Sequence, residues 1–365
     1  MFNDLYNLIF ASGWGRAHHP HSWHLRRSPA RASGLRFKLL WLVVGGALTS
    51  PAEVTYSLPV GGEVLFVEAG TPAGPVTSPF ALTLVDRAAA TGNTMGSLSE
   101  VTAHSVRVVG AGWIGSALAH PDYPYDLQLL SGAGAGARLA VVANTPGTLE
   151  LSGRDLVALG VLAGDLYQLV PVDTLDSLFG ADTFKGGPTP AEADIVALGE
   201  SNRIGYFFDT TSAQWRRTDG PTTNQGETRI PPNGMIAIGR KAGAFTLTLI
   251  GAVPISPTNI PVSDQGATFT HTGFPTDITL GSLAIQTHLA GWISNADAGQ
   301  ADVLSVAVGA SWVSYFHNGS HWQRAPGNVT SRDAIVIPGG TPIRILRRGL
   351  GGGSRPLVLP LPYTL

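Results

Sequence analysis

The back half of this chain carries a duplicated pattern that restricts its fold more than any other feature. Trp215, Arg217, Ile230-Pro231, Ile236, Ile238 and Arg240 recur in order as Trp322, Arg324, Ile337-Pro338, Ile343, Ile345 and Arg347, each displaced by 107 positions. Constant spacing over that many landmarks marks one supersecondary block copied for architecture. Further matches extend each copy toward its N-terminal side. Leu175 and Leu178 correspond to Leu280 and Leu283, and Ala193-Asp194 corresponds to Ala301-Asp302 at a strand start. A hairpin then carries Phe207-Phe208 or Tyr315-Phe316 on its first arm and the Trp on its second. Its turn is Asp209–Ala213 in one copy and the tighter Asn318-Gly319 in the other, a pair suited to positive φ. On this reading the displacement falls from 108 to 107 because the second turn is one residue shorter. Ile236-x-Ile238-x-Arg240 and its counterpart alternate with period two, as strands with one buried face do.

Composition agrees with a strand-and-turn body. Charged residues make up 13% of the 365 positions, while 46 Gly and 26 Pro supply many tight turns. A hydrophobic share of 44% opposes global disorder, and a net charge of −2 offers no surface for a polyanion, so nucleic acid is not an expected partner. The absence of Cys excludes disulfides, thiolate nucleophiles and thiolate metal sites. Short runs rich in Val, Leu, Thr and Tyr alternate with Gly, Pro, Asn and Asp clusters from Glu53 onward, and sustained helical periodicity is rare. One helical turn is expected near Thr174–Phe179, with Asp173 placed to cap it. The expected fold is all-β: an N-terminal β domain over 53–164, then two tandem homologous β modules over 165–256 and 257–349. These modules are built of antiparallel hairpins with very little helix, and a Gly/Pro-rich tail follows over 350–365.

The leader is read from residues 35–53. Leu35-Arg36-Phe37-Lys38 precedes an apolar run from Leu39 to Leu48, and Ser50 and Ala52 supply small residues before a cut at Glu53, the three parts of a secretory signal peptide. The run is about half the ~20 residues a membrane-spanning helix needs, so no transmembrane anchor is expected. Residues 1–34, with His18, His19, His21 and His24, read as an over-extended start rather than as a metal site, because a start at Leu35 leaves an ordinary basic n-region.

Val54-Thr55-Tyr56-Ser57-Leu58-Pro59, Gly112-Trp113, Leu129-Leu130-Ser131-Gly132, Ala143-Asn144-Thr145, Gly164-Asp165, Thr174-Leu175 and the Tyr206–Arg216 hairpin together resemble a family of uncharacterised exported proteins associated with verrucomicrobial bacteria. The second copy also resembles Gly-Trp-Asn-type β modules of secreted bacterial proteins. It departs from their pattern at Gly266-Ala267-Thr268 and Thr272-Gly273-Phe274-Pro275. The resemblance implies export and a β-rich body, and no activity.

Several motifs imitate chemistry. Gly110, Gly112 and Gly115 satisfy a dinucleotide fingerprint, but Pro121 and Pro124 leave no room for the helix whose amide groups would face a pyrophosphate. The Ser131–Ala137 stretch lacks the Lys-Ser/Thr of a phosphate loop and reads as a hairpin connection. His104, His120, His271, His288, His317 and His321 show no metal-ligand spacing, and no cofactor is expected. Trp215 and Trp322, with Arg217 and Arg324 beside them, are the candidate ligand-facing residues, since a copied exposed ring would give two platforms for a sugar polymer. The opposing expectation is that each Trp fills its module's core. The function expected is a non-catalytic structural or interaction role in the cell envelope or outside the cell, with the chain itself or other envelope proteins as partners. Polysaccharide binding is the alternative, and an extracellular hydrolase the third reading.

Overall fold

Period-two segments form strands when one face can be buried, and the chain uses three such burial sites. The computed structural model describes residues 60–84, 94–179, 184–199, 203–220, 223–327, 329–349 and 351–364. The expected signal peptide and the His-rich segment before it lie outside these residues.

Both copies adopt one plan. In the first, a five-stranded antiparallel sheet runs Gln214–Arg217, Ile204–Asp209, Ile195–Leu198, Ile236–Arg240, Val76–Phe80. In the second the order is Trp322–Arg324, Ser311–His317, Val303–Val308, Pro342–Arg348, Gln265–His271. Each sheet is accompanied by a two-stranded ribbon, Val60–Val67 with Phe245–Ala252 and Thr258–Ser263 with Ser354–Leu359. A one-turn helix, Leu175–Leu178 or Leu280–Leu283, closes each core. The N-cap of each is a threonine, Thr174 or Thr279, in a reciprocal capping box with Ser177 or Ser282. Asp173, expected in that role, instead accepts a hydrogen bond from the Ser177 hydroxyl at 3.1 Å.

Hydrogen bonds outside the ladders repeat as well. Gln225 N–H donates to the Trp215 carbonyl and Arg332 N–H to that of Trp322; Leu175 N–H donates to Thr228 and Leu280 N–H to Ile335. Strand register refines the alignment of the hairpins. Phe208 stands opposite Trp215, whereas His317 stands opposite Trp322, so Phe208 matches His317 and Asp209 matches Asn318. The second turn is therefore shorter by two residues, and the segment before it, from Asp302 to His317, is one residue longer than that from Asp194 to Phe208.

The expected order of domains is corrected by strand pairing. Val76–Phe80 pairs with Ile236–Arg240, and Val60–Val67 pairs with Phe245–Ala252, so the first copy begins at the start of the described chain. A seven-stranded antiparallel sheet spanning Met95–Ser97 to Leu166–Pro171 is inserted between its second strand and its helix. In the second copy, Gln265–His271 leads to the helix without such an insertion. The expected boundary at 164/165 also cuts off Leu166–Pro171, which lies inside the seven-stranded sheet between Met95–Ser97 and Tyr125–Leu129. The Gly/Pro-rich tail supplies a strand, Ser354–Leu359, that completes the second ribbon.

Three apolar cores result. Trp113, buried and edge-on to Tyr167 at 6.2 Å, anchors the seven-stranded sheet with Leu127, Leu129 and Leu149. Trp215 packs with Phe179, Phe184, Ile236 and Ile238, and Trp322 with Leu304, Ile343 and Ile345. Each such side chain contributes about 1.5–3 kcal/mol on burial.

Candidate functional site

The copied charged residues meet inside the modules. One position beyond the pair Ile195 and Gly239, the Asp194 carboxylate forms an ion pair with Arg240; one position beyond Val303 and Leu346, Asp302 forms one with Arg347. Each Asp also accepts two backbone N–H groups. Asp194 takes those of Lys185 at 2.8 Å and Lys241 at 2.7 Å, and Asp302 those of Ile293 at 2.9 Å and Arg348 at 2.7 Å. The guanidinium is held by carbonyls, Arg240 Nε donating to Gly243 and Arg347 Nη2 to Gly291. Arg347 Nε lies 2.9 Å from Asp302 Oδ2, but off the line that a hydrogen bond requires, so that contact is an ion pair. This clasp ties a strand start to a strand end in each copy. Its members were legible as repeats, but their pairing was not.

Trp215 and Trp322 are each 1% exposed, which removes both rings from any ligand-facing surface. Trp215 contacts Phe208 edge-on at 5.8 Å and Phe184 at 5.7 Å; Trp322 contacts Trp292 and His317, both at 5.6 Å. Arg217 forms a two-pronged contact with Asp219 at 2.9 and 2.7 Å, while Arg324 is exposed at the end of its short strand. Among the described residues, Arg203 lies over the Phe269 ring and Arg240 over that of Phe245. The four candidate residues thus form no common face. Trp215 and Trp322 point into the core, whereas the arginine two positions on lies at the strand end, where Arg324 is exposed and Arg217 reaches Asp219.

A buried polar cluster joins the seven-stranded sheet to both copies. Asp126, on the strand Tyr125–Leu129, is flanked by Arg138 at 3.4 Å and by Arg229 of the first copy. Gln168 donates to Gln128, which donates to Ser256; Arg154 donates to Asn259 of the second copy at 2.8 Å. The second copy in turn reaches the first, with the Thr270 hydroxyl donating to the Asn233 carbonyl and His271 Nε2 lying 3.0 Å from that of Pro232. Gln128, Arg138 and His271 of this cluster border a cavity of about 30 Å³ whose lining also includes Thr83 and Thr258. That volume suits a water molecule or two, whereas organic ligands occupy several hundred Å³. The cluster is a polar joint rather than a substrate pocket.

His271 is strongly perturbed there. Its Nδ1 accepts the Gly273 N–H at 2.9 Å, which fixes the proton on Nε2 for donation to Pro232. Burial lowers its pKa from 6.5 to about 4, the Pro232 carbonyl opposing this and Arg138 reinforcing it. The unfolded chain then takes up a proton near 6.5 that the folded chain refuses until about 4, so stability is fully present above 6.5 and is lost as the pH falls across that interval. The expected loss is about 3 kcal/mol at 1.36 kcal/mol per pKa unit. Urea unfolding of wild type and His271→Gln at several pH values checks this: the variant should show a flatter dependence between these limits, and parallel curves would refute the assignment.

The Gly110–Gly115 loop has positive φ at Gly110 and Gly112 and runs through turns, without the helix that a dinucleotide loop requires. The Ser131–Ala137 stretch joins two paired strands, as expected of a hairpin connection. Its Gly136, with φ of +82°, approaches the second copy so closely that a Cβ would overlap the Pro257 carbonyl. Among the described residues no three His, Asp or Glu side chains converge as metal ligands, and no helix is long and apolar enough to cross a membrane. Comparison of the chain with protein-family models, with curated proteins and with solved structures finds no match.

Proposed function

We propose that the chain is an exported, non-catalytic β scaffold that works by contact with neighbouring surfaces, its own copies among them. The observation that carries this reading is the outward face of the first ribbon. Val64, Phe66 and Ile250 are 67%, 64% and 71% exposed there, on two strands that each pair on one side only. Apolar residues in a row beside an unpaired edge form a surface that association would bury. The copied tryptophans, isoleucines and Asp–Arg clasps, by contrast, serve the interior, as expected if duplication enlarged a scaffold. The Trp platforms of a polysaccharide-binding reading are inside the cores.

The test is light scattering of the purified protein over a range of concentrations, together with fractionation of the native cells. Concentration-dependent large species that disperse in a Phe66→Lys, Ile250→Lys variant, and recovery from the envelope or the medium, are the expected results. A monomer at every concentration would refute the contact role, and recovery from the cytoplasm alone would refute export.

A further inference from the structure

The hairpin turn of the second copy brings three reactive features together. Asn318 is followed by Gly319, which has φ of +104° and no heavy atom within 4 Å of where a Cβ would stand. The Gly319 N–H donates to His317 Nδ1 at 3.2 Å, so a neutral imidazole nitrogen already faces the amide proton. Asn318 Oδ1 accepts two backbone N–H groups, from Ser320 and from His321, each at 2.9 Å. Those donors polarise the side-chain carbonyl and stabilise negative charge developing on its oxygen. We propose that this turn is a self-modifying site, in which His317 assists the conversion of Asn318 through a cyclic imide to aspartate or isoaspartate.

The chemistry balances without a cofactor. His317 Nδ1 takes the proton from Gly319 N, and that nitrogen forms a bond to Asn318 Cγ. The Cγ–Nδ2 bond breaks, and the proton held by His317 passes to the departing nitrogen, which leaves as ammonia. Water then opens the five-membered imide at either carbonyl. Opening at the former side-chain carbonyl gives isoaspartate-free aspartate; opening at the main-chain carbonyl gives isoaspartate, with the chain rerouted through the side chain.

The first copy lacks this combination. Phe208 replaces His317, and the position of Asn318 is already an acid, Asp209, whose Oδ1 accepts the Thr211 N–H and whose Oδ2 pairs with Arg216 at 2.8 Å. Conversion of Asn318 therefore gives the second turn the carboxylate that the first possesses, with Gln323 standing at the position of Arg216. His317 is kept in the neutral form that can accept a proton. Burial lowers its pKa, with His321 acting in the same direction and Asp333 against it, and Ser294 Oγ lies 3.0 Å from the same nitrogen.

The experiment incubates the intact purified protein at physiological pH and temperature and follows each asparagine by peptide mass spectrometry. The other Asn-Gly pair, Asn233-Gly234, is the internal comparison, because Gly234 N–H donates to the Pro231 carbonyl at 3.1 Å and meets no base. Asn318 should gain acid well ahead of Asn233, and His317→Gln should slow it on the order of a hundredfold, the lower range for a positioned general base. Should that variant unfold, the wild-type pH profile decides. Assistance by the imidazole makes the rate level off above its pKa, whereas attack driven by hydroxide alone climbs with every pH unit. Equal rates at the two sites, a variant as fast as wild type, or a rate that climbs without levelling would each overturn the proposal.

Discussion

Asp302→Ala is expected to destabilise the protein by about 3–5 kcal/mol, the cost of leaving one member of a buried ion pair without its partner. The carboxylate is 0% exposed and the Arg347 side chain 2%, so water can screen neither charge. Truncation also strips the Ile293 and Arg348 N–H groups of their acceptor, and Arg347 Nη1 already lacks a hydrogen-bond partner. The matching change in the first copy should cost less. Both arginines keep a carbonyl partner, Gly243 or Gly291, but Arg240 also retains the Phe245 ring when Asp194 is removed, and at 9% it is closer to solvent. Urea unfolding monitored by tryptophan fluorescence measures both. A double change, Asp302→Leu with Arg347→Met, should recover much of the loss, since no charge is then left buried. A shift below about 1 kcal/mol for Asp302→Ala, the range of surface pairs, would show that the clasp is no structural element.

Trp322→Ala and Trp215→Ala should each cost about 3–5 kcal/mol, the range for deleting a large aromatic from a packed core. Trp322→Phe should be far milder. It keeps a ring against Trp292 and His317 and removes an indole N–H that is buried without a partner. Fluorescence quenching provides a second measurement, because acrylamide should reach neither ring in the native protein. Efficient quenching of both, with little change in stability on truncation, would return these residues to the surface and reopen their use as ligand platforms.

Legibility divided along the range of the interactions. Ile236-x-Ile238 and Ile343-x-Ile345 were readable as strands because alternation is written in adjacent residues, and Asn318-Gly319 as a turn because positive φ selects those side chains. The Thr174 cap was misread as Asp173 by one position, since both residue types accept from a helix N-terminus and only backbone geometry chooses between them. Of the buried joint, Asp126, Arg229 and His271 carried no signal, because their partners lie 103 positions apart or on another sheet. Asp194 and Arg240 were a different case. Both recurred in the second copy, so a charged pair repeated at strand ends was present to be found, but a repeat identifies positions and not contacts.

The sequence by itself determined that this protein is all-β and that its second half contains one block made twice, because periodicity and spacing are local properties that survive without coordinates. Tertiary structure alone decided that the first block is interrupted by a seven-stranded sheet, that the tryptophans face inward, and that the aspartates and arginines clasp. Each of these depends on which strands pair across large separations in the chain, and that choice is made by the total burial achieved when the sheets close, to which no single segment holds the key.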